Sequence, residues 1–438
     1  MKILLDIADP AAEAARLRRA GAIPDSAMEQ ARAIMADVAA NGDPALLAYT
    51  AKFDGVQLPA AGTRVTEQEI KDAYGRVTKA QVKALKLMKT RLAKSETALL
   101  KRLQNTIVVR SDGVKIERVV QPVASVGCYI PGGRARYPST VVMCAVPAKV
   151  AGVKRIVAIS PPAAKDGSVD PLTLVAADIC GVDEFYRVGG AQGIAALAYG
   201  TQSIKKVSKI VGPGGMFVTA AKLAASGAVS TDMVAGPTEL LVYADESADP
   251  ALVAVDLISQ AEHSPDTVCG LVTTSARLAS QVQAEIDNRI RNIARSEIVA
   301  RSMAENGFAA VCRTVQGCID FINEFAPEHL EVMSRRPEAV ARKVESAGLV
   351  LLGADAPSSA SDYCLGSNHV LPTLGFGKSR ASLSALDFVK VTNRVQVSRK
   401  GLGRVDAAVK EMTAAEGLPN HYEAVRARTA AKREKKKK

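Results

Sequence analysis

Apolar positions recur every three to four residues through the first hundred residues of the chain, the spacing that lays one face of a helix against a core. Ala, Met, Ile and Leu fall at that spacing from Asp25 to Phe53, and a second such stretch runs from Thr66 to Leu103. The second opens TEQEI, with Thr66 placed as the cap and Glu69 three residues on. These helices are expected to brace the fold rather than carry chemistry. From about Ile107 the period changes. Short β-branched runs alternate with helix-length segments: KIERVVQPVASVGCYI ahead of a PGG turn at 131–133, RIVAIS before Pro161 and Pro162, then EFYRVGG, KIVGPGG, ELLVYAD, CGLVTTS, FAAVCRT and GLVLLGA. Strands separated by helices predict mainly parallel, doubly wound sheets. There are enough of them for two Rossmann-like α/β domains. After about Ser384, mixed segments lead into AAVKEMTAAEGLPNHYEAVRARTAAKRE, two helices broken at Gly417–Pro419. This end reads as a small C-terminal helical arm.

A chain of 438 residues is too long for one compact core. Its balance of 48% apolar and 23% charged residues is that of a globular domain, and no uninterrupted apolar run reaches membrane-spanning length. The start, MKILLDIADPAAEAARLRRA, has early acidic residues and no long apolar stretch, so no secretory signal is expected. Seven cysteines, an odd number with no C-x-x-C pair, argue against a disulfide framework and against a thiolate zinc site. A reducing cytoplasm is the expected compartment. The formal charge of +12 raises nucleic acid as a partner, but the final KREKKKK alone supplies +5, and a terminal lysine run reads as a solvated end. With no Trp and 4% aromatics, stacking platforms for single strands are scarce. Nucleic-acid binding is not expected. Attraction of an anionic cofactor is the milder use of the charge.

Candidate chemistry gathers at the four histidines, each set among polar residues. Gln260 and His263 end the helical pattern ALVAVDLISQAEH, three apart and so on one helical face. An amide oxygen and an imidazole there suit one metal ion, although a polar helix end before Pro265 looks the same. Glu328 and His329 are adjacent in APEHL, a carboxyl–imidazole combination suited to acid–base work, or a surface pair capping a helix. Asp362 and His369 lie in SDYCLGSNHVLPT, a loop beyond the strand GLVLLG, where α/β enzymes place their sites; turn capping is the plain alternative. Glu416 and His421 flank the Gly-Pro turn of the C-terminal arm. Gln260, His263, Asp362 and His421 together offer two imidazoles and two oxygens, a set for zinc, with manganese or cobalt also compatible. No regular metal-ligand spacing supports the set. The glycine turns PGG, VGGAQG and GPGG each follow a strand, so backbone amides there suit phosphates, but no G-x-G-x-x-G is present.

In order along the chain, VGCYIPGG (126–133), YPSTVVMCAVPAKVAGV (137–153), VGGAQGIAALAYGT (188–201), KIVGPGG (209–215), TDMVAGPTELLV (231–242), SQAEH (259–263), FAPEHLE (325–331), DYCLGSNHVLPT (362–373) and AEGLPNH (415–421) resemble the blocks of the histidinol dehydrogenase family. Each block is weak alone; the ordered set is specific. The resemblance implies NAD-dependent oxidation of L-histidinol through the aldehyde to L-histidine, with one Zn2+ per subunit bound by Gln260, His263, Asp362 and His421. It implies Glu328 and His329 as the acid–base pair and Tyr129, Gln192 and Gly215 at NAD positions. Thr238, Glu416 and His329 would contact substrate along with the metal ligands, and His369 lies in a pocket-lining block. Two positions depart from the family. Gly215 stands where Asn is usual, and Thr238 replaces Ser while keeping the hydroxyl.

The resemblance also implies a homodimer whose arm completes the partner's site. The expected division is an N-terminal helical extension at 1–26 for dimerisation, a zinc-bearing α/β domain from 27–128 and 241–383, an NAD-binding domain at 129–240, and an arm at 384–438. In chemistry, His329 is expected to take the alcohol proton and Glu328 to activate water for hydration of the aldehyde. A cysteine thiohemiacetal through Cys128, Cys144 or Cys364 is the competing route. Rival functions are a relative acting on a sulfonated diol or polyol, for which PGGR at 131–134 leaves room, and a non-catalytic basic scaffold.

Overall fold

The computed structural model describes residues 1–18, 23–103, 107–132, 136–233 and 236–430. Gly133 and Arg134 of the PGGR segment and the terminal lysine run lie outside them. The strands, in chain order, are β1 (Lys2–Ile7), β2 (Ile107–Ser111), β3 (Val114–Pro122), β4 (Ser125–Tyr129), β5 (Arg155–Ile159), β6 (Glu184–Tyr186), β7 (Lys209–Val211), β8 (Ser230–Thr231), β9 (Glu239–Ala244), β10 (Val268–Thr273), β11 (Phe308–Cys312), β12 (His329–Met333), β13 (Leu349–Leu352) and β14 (Val389–Val397). The chain divides into two compact units, Met1–Thr97 with Val123–Phe388, and Ala98–Pro122 with Val389–Lys438.

The first unit holds both parallel sheets. One is five-stranded in the order β6-β5-β4-β7-β8 and the other six-stranded in the order β1-β11-β10-β9-β12-β13. With β1 set aside as an added edge strand and counting from β4 and from β9, both wind 3-2-1-4-5, so each reverses direction once, between β4 and β7 and between β9 and β12. Such reversals open the crevices in which doubly wound folds bind ligands. The doubly wound parallel architecture expected from strand–helix alternation is present. Buried runs such as Val126 to Tyr129 and Leu240 to Ala244 explain the continuous apolar strands, because helices cover both faces.

Several local expectations need correction. Segment 1–26 opens with a strand: β1 pairs with β11 at the edge of the six-stranded sheet before the helix Pro10–Leu17. The run 25–53 is two helices, Asp25–Asn41 and Asp43–Asp54, because Gly42 turns the chain at φ +65. These helices pack on the five-stranded sheet, with Met35, Val38 and Leu46 in one core with Val157, Ile159 and Ile194, not with the zinc-bearing domain expected for 27–128. The run 66–103 also splits, into Glu67–Tyr74 and Lys79–Leu103. Its start matches the sequence reading, with Thr66 and Glu69 forming a reciprocal capping box. KIERVVQPVASVGCYI is two strands in different sheets, β3 and β4, parted after Pro122, whose nitrogen has no proton to donate to a ladder.

The second unit carries the antiparallel sheet β14-β3-β2 and the helices Arg399–Ala415 and Pro419–Ala430. Those helices break at Gly417, φ +67, where a Gly-Pro break was expected. The nine-residue strand β14 had no counterpart in the sequence pattern. Among the described residues no helix is long and apolar enough to cross a membrane.

Candidate active site

The first unit holds a cavity of ≈ 330 Å³. One wall is the carboxyl end of the five-stranded sheet at its reversal: Pro131 beyond β4, Gly212 to Gly215 beyond β7, and Asp232 and Met233 beyond β8. The opposite wall is the amino end of the six-stranded sheet at its own reversal, with Thr238 just before β9 and Glu328 and His329 at the start of β12. The loop after β13 was expected to place Asp362 at a strand's carboxyl end. It returns instead to the amino end of β12, where Asp362 Oδ1 lies 3.3 Å from His329 Nε2.

Glu328 and His329 are buried, at 6% and 2% exposure. The segment APEHLE leads directly into strand β12, so His329 is fixed by a ladder to β9 and β13 rather than standing on a helix cap. Glu328 Oε2 accepts the backbone N–H of Glu239 at 2.8 Å. Burial raises the Glu328 pKa to about 8 despite the neighbouring imidazole. Burial opposes charge on His329, but the hydrogen bond to Asp362 and the charges of Glu328 and Asp362 outweigh it and raise the ring to about 9. Its Nδ1 is 3.9 Å from Glu328 Oε2 and has no hydrogen-bond partner. Asp362 is held below its ordinary value: burial would raise it, and the His329 contact prevails. His369 lines the same cavity, its Nδ1 2.8 Å from the Asp362 carbonyl oxygen, and burial lowers its pKa.

Gln260 and His263 complete this wall. Helix Pro250–Ala261 ends before His263, so the two residues share the cavity across the helix end rather than along one helical face. Gln260 is 2% exposed and its Nε2 is unpartnered. His263 stays open to the cavity, yet crowding by protein lowers its pKa. Among the described residues, no cluster of three or more His, Cys, Asp or Glu is close enough to hold a metal. Glu416 and His421 belong to the second unit, where both are exposed at the helix break.

The NAD positions separate. Gly215 lines the cavity with open space where a Cβ would stand. Tyr129 and Gln192 are buried outside its lining. The N–H of Gly190 lies 3.4 Å from the Tyr129 hydroxyl, and Gln192 Nε2 lies 3.5 Å from Asp54. Cys128 and Cys144 are fully enclosed, Cys364 is half-buried, and none lines the cavity, which leaves a thiohemiacetal without a nucleophile there. Glu239 escaped the sequence reading because it sits inside ELLVYAD, which otherwise reads as plain core strand.

A buried acid–base pair at one sheet reversal, facing the glycine loops of a second doubly wound sheet, is the layout of an α/β dehydrogenase. The chain belongs to the histidinol dehydrogenase family, which it matches over residues 17–429. A histidinol dehydrogenase of Methanopyrus kandleri is 42% identical over 415 residues, spanning 94% of this chain and 96% of the relative. One of Clostridium acetobutylicum is 43% identical over 396 residues, 90% of each. The crystal structure of histidinol dehydrogenase from Elizabethkingia anophelis superposes with a TM-score of 0.92 at 33% identity, covering 98% of both chains. Family membership makes the chain an NAD-dependent oxidoreductase of histidine biosynthesis.

Proposed function

We propose that this cavity oxidises L-histidinol through L-histidinal to L-histidine, in two hydride transfers to NAD. The observation that carries the reading is the placement of Glu328 and His329, buried and adjacent, in one cavity with Gln260, His263 and Asp362. A carboxyl group raised to about 8 and an imidazole raised to about 9 both exchange protons near the neutral range. His329 takes the alcohol proton as the first hydride leaves. Glu328 takes a proton from the water that adds to the aldehyde. His329 returns its proton to the aldehyde oxygen as the water adds, and then takes a proton from the hydrate as the second hydride leaves.

The donor set fits a zinc ion. Gln260 offers an amide whose buried nitrogen lacks a partner, and a half-turn puts its oxygen in that place. A lowered His263 pKa keeps the ring neutral, and a lowered Asp362 pKa keeps the carboxylate charged, the states that ligation requires. Bound there, zinc supplies a Lewis-acidic grip on the nitrogens of the substrate. The fourth donor is His421 from a second copy of the chain, with Glu416 touching substrate beside it. Self-association is supported by the antiparallel sheet, where Val109 and Val395 pair on either side of Ile116 and stand 52% and 61% exposed.

On the other wall, NAD lies along the Gly212 to Gly215 loop. Gln192, whose buried Oε1 lacks a partner, and Tyr129 support that crevice from behind. Seven free cysteines and no hydrophobic span among the described residues suit the cytoplasm. The test is NADH formed per L-histidinol consumed. Two is expected; one or none, or preference for a sulfonated diol, would overturn the reading.

A further inference from the structure

Three chain segments deliver the groups of the catalytic wall. Helix Pro250–Ala261 brings Gln260, strand β12 brings His329, and helix Ser358–Ser361 leads into Asp362. One buried cluster joins all three. Asp256 is one turn before Gln260, so the two lie on one face of their helix. Glu331 is two residues after His329, so the two point to the same face of the sheet. Ser358 is one turn before Asp362, and its N–H donates to Glu331 Oε1 at 2.6 Å.

The carboxyl groups of Glu331 and Asp256 face each other within hydrogen-bonding reach. Glu331 is 1% exposed and Asp256 8% exposed, and neither has an ion-pair partner among the described residues. Glu331 Oε2 receives no conventional donor. Two carboxylates cannot both stay charged in such a place, since the single Ser358 N–H does not offset the repulsion and the lost hydration. A single proton held between them removes both penalties.

We infer that Glu331 and Asp256 share one proton and act as a positioning pair that fixes Gln260, His329 and Asp362 relative to one another. The inference rests on the reading of the cavity as a metal and substrate site. Burial first, and then each carboxyl group acting on the other, pushes Glu331 well above the usual carboxylate range, and burial raises Asp256. The native pair therefore keeps a proton that the unfolded chain has released, so its contribution to stability falls as pH rises above the ordinary carboxylate range. Glu331→Gln retains the shape and donates an amide N–H to a charged Asp256, so no proton is shared.

The test uses the full-length protein with its metal removed and then restored, comparing wild type with Glu331→Gln, Asp256→Asn and Glu331→Ala. Difference infrared spectra at neutral pH should show the carbonyl stretch of a protonated carboxyl group that both Glu331→Gln and Asp256→Asn abolish. The Tm of Glu331→Gln should gain on wild type as pH rises from 5 to 8. Zn2+ affinity should fall by about 10–100-fold in Glu331→Ala and return in Glu331→Gln. No protonated-carboxyl band, a Tm difference that ignores pH, or equal Zn2+ affinity in Gln and Ala variants would overturn the pairing. The infrared and Tm readings need no substrate, so failure to oxidise L-histidinol would count against the functional reading alone.

Discussion

Glu239 grips Glu328 through its backbone while its own side chain is gripped from the other direction. Its N–H donates to Glu328 Oε2 at 2.8 Å, and its carboxylate accepts the N–H of Leu374 at 3.0 Å. The side chain is 4% exposed, and burial raises its pKa to about 7. Its charge in turn pushes the Glu328 pKa up.

Glu239→Gln should therefore lower the pKa of Glu328 and move the corresponding limb of the kcat/KM profile to lower pH. Stability should respond too. Wild type holds a proton on Glu239 between the ordinary 4.5 and about 7 that the unfolded chain has lost, so its stability declines across that window. The Gln variant lacks this decline. Glu239→Ala instead leaves the Leu374 N–H unpaired in a half-buried loop, at a cost of about 1–3 kcal/mol. A pH profile identical to wild type in Glu239→Gln would show that the two carboxyl groups are not coupled.

What the sequence disclosed follows the physics of each signal. Strand–helix alternation is a local pattern, so the doubly wound sheets and strands such as ELLVYAD and KIVGPGG were legible. Strand β12 was not, because HLEVM is short and opens with a histidine after a proline turn. Glu239, Glu331 and Asp256 were missed for a shared reason. Each stands in a strand or helix whose neighbours are apolar, and its partner is remote in sequence. The polar motifs at the four histidines marked most of the cavity wall, but their geometry required the return of the loop after β13. A regular rule, that sites follow carboxyl ends of strands, described the five-stranded sheet and misled at the six-stranded one.

Gly212 is held from both sides. Asp232 Oδ2 accepts its N–H at 2.7 Å, and Lys222 Nζ donates to its carbonyl at 2.9 Å. Lys222 and Asp232 also form a salt bridge, both almost wholly buried. At φ +113, a Cβ on residue 212 would stand 2.3 Å from the Tyr129 carbonyl oxygen. Lys222→Met should cost about 3–5 kcal/mol by leaving the carboxylate unpaired. It should raise the KM for NAD more than it lowers kcat if NAD lies along this loop as proposed. Adding Asp232→Asn should recover part of the stability, as read by chemical denaturation. An unchanged KM for NAD would separate this pair from the cofactor.

Gly215 presents the opposite case. Its backbone, at φ −67 and ψ 178, suits any residue, and a Cβ there meets nothing within 4 Å. The residue caps helix Met216–Ala225 without a side-chain hydrogen bond. Gly215→Asn should stabilise that helix start by roughly a few tenths of a kcal/mol. The added amide should also lower the KM for NAD several-fold at unchanged kcat. Calorimetry and initial rates at varied NAD check both, and a higher KM would place the cofactor elsewhere along the loop.

His421 and Glu416 are exposed on the second unit, while Glu328 and His329 are buried in the first. If each site takes its fourth metal donor from a second chain, two differently damaged chains can complement. His421→Ala should lose zinc and activity, and Glu328→Ala should keep zinc and lose activity. In a mixed dimer, one of the two sites carries both lesions and the other carries neither. Statistical mixing after co-refolding makes half of all dimers hybrid, each with one intact site, so about a quarter of wild-type activity should return. Zinc content measured on the separated hybrid should be one ion per dimer. Strict additivity of two inactive preparations, with zinc still lost from His421→Ala, would mean that each chain completes its own site, and zinc bound by His421→Ala as in wild type would remove His421 from the ligand set.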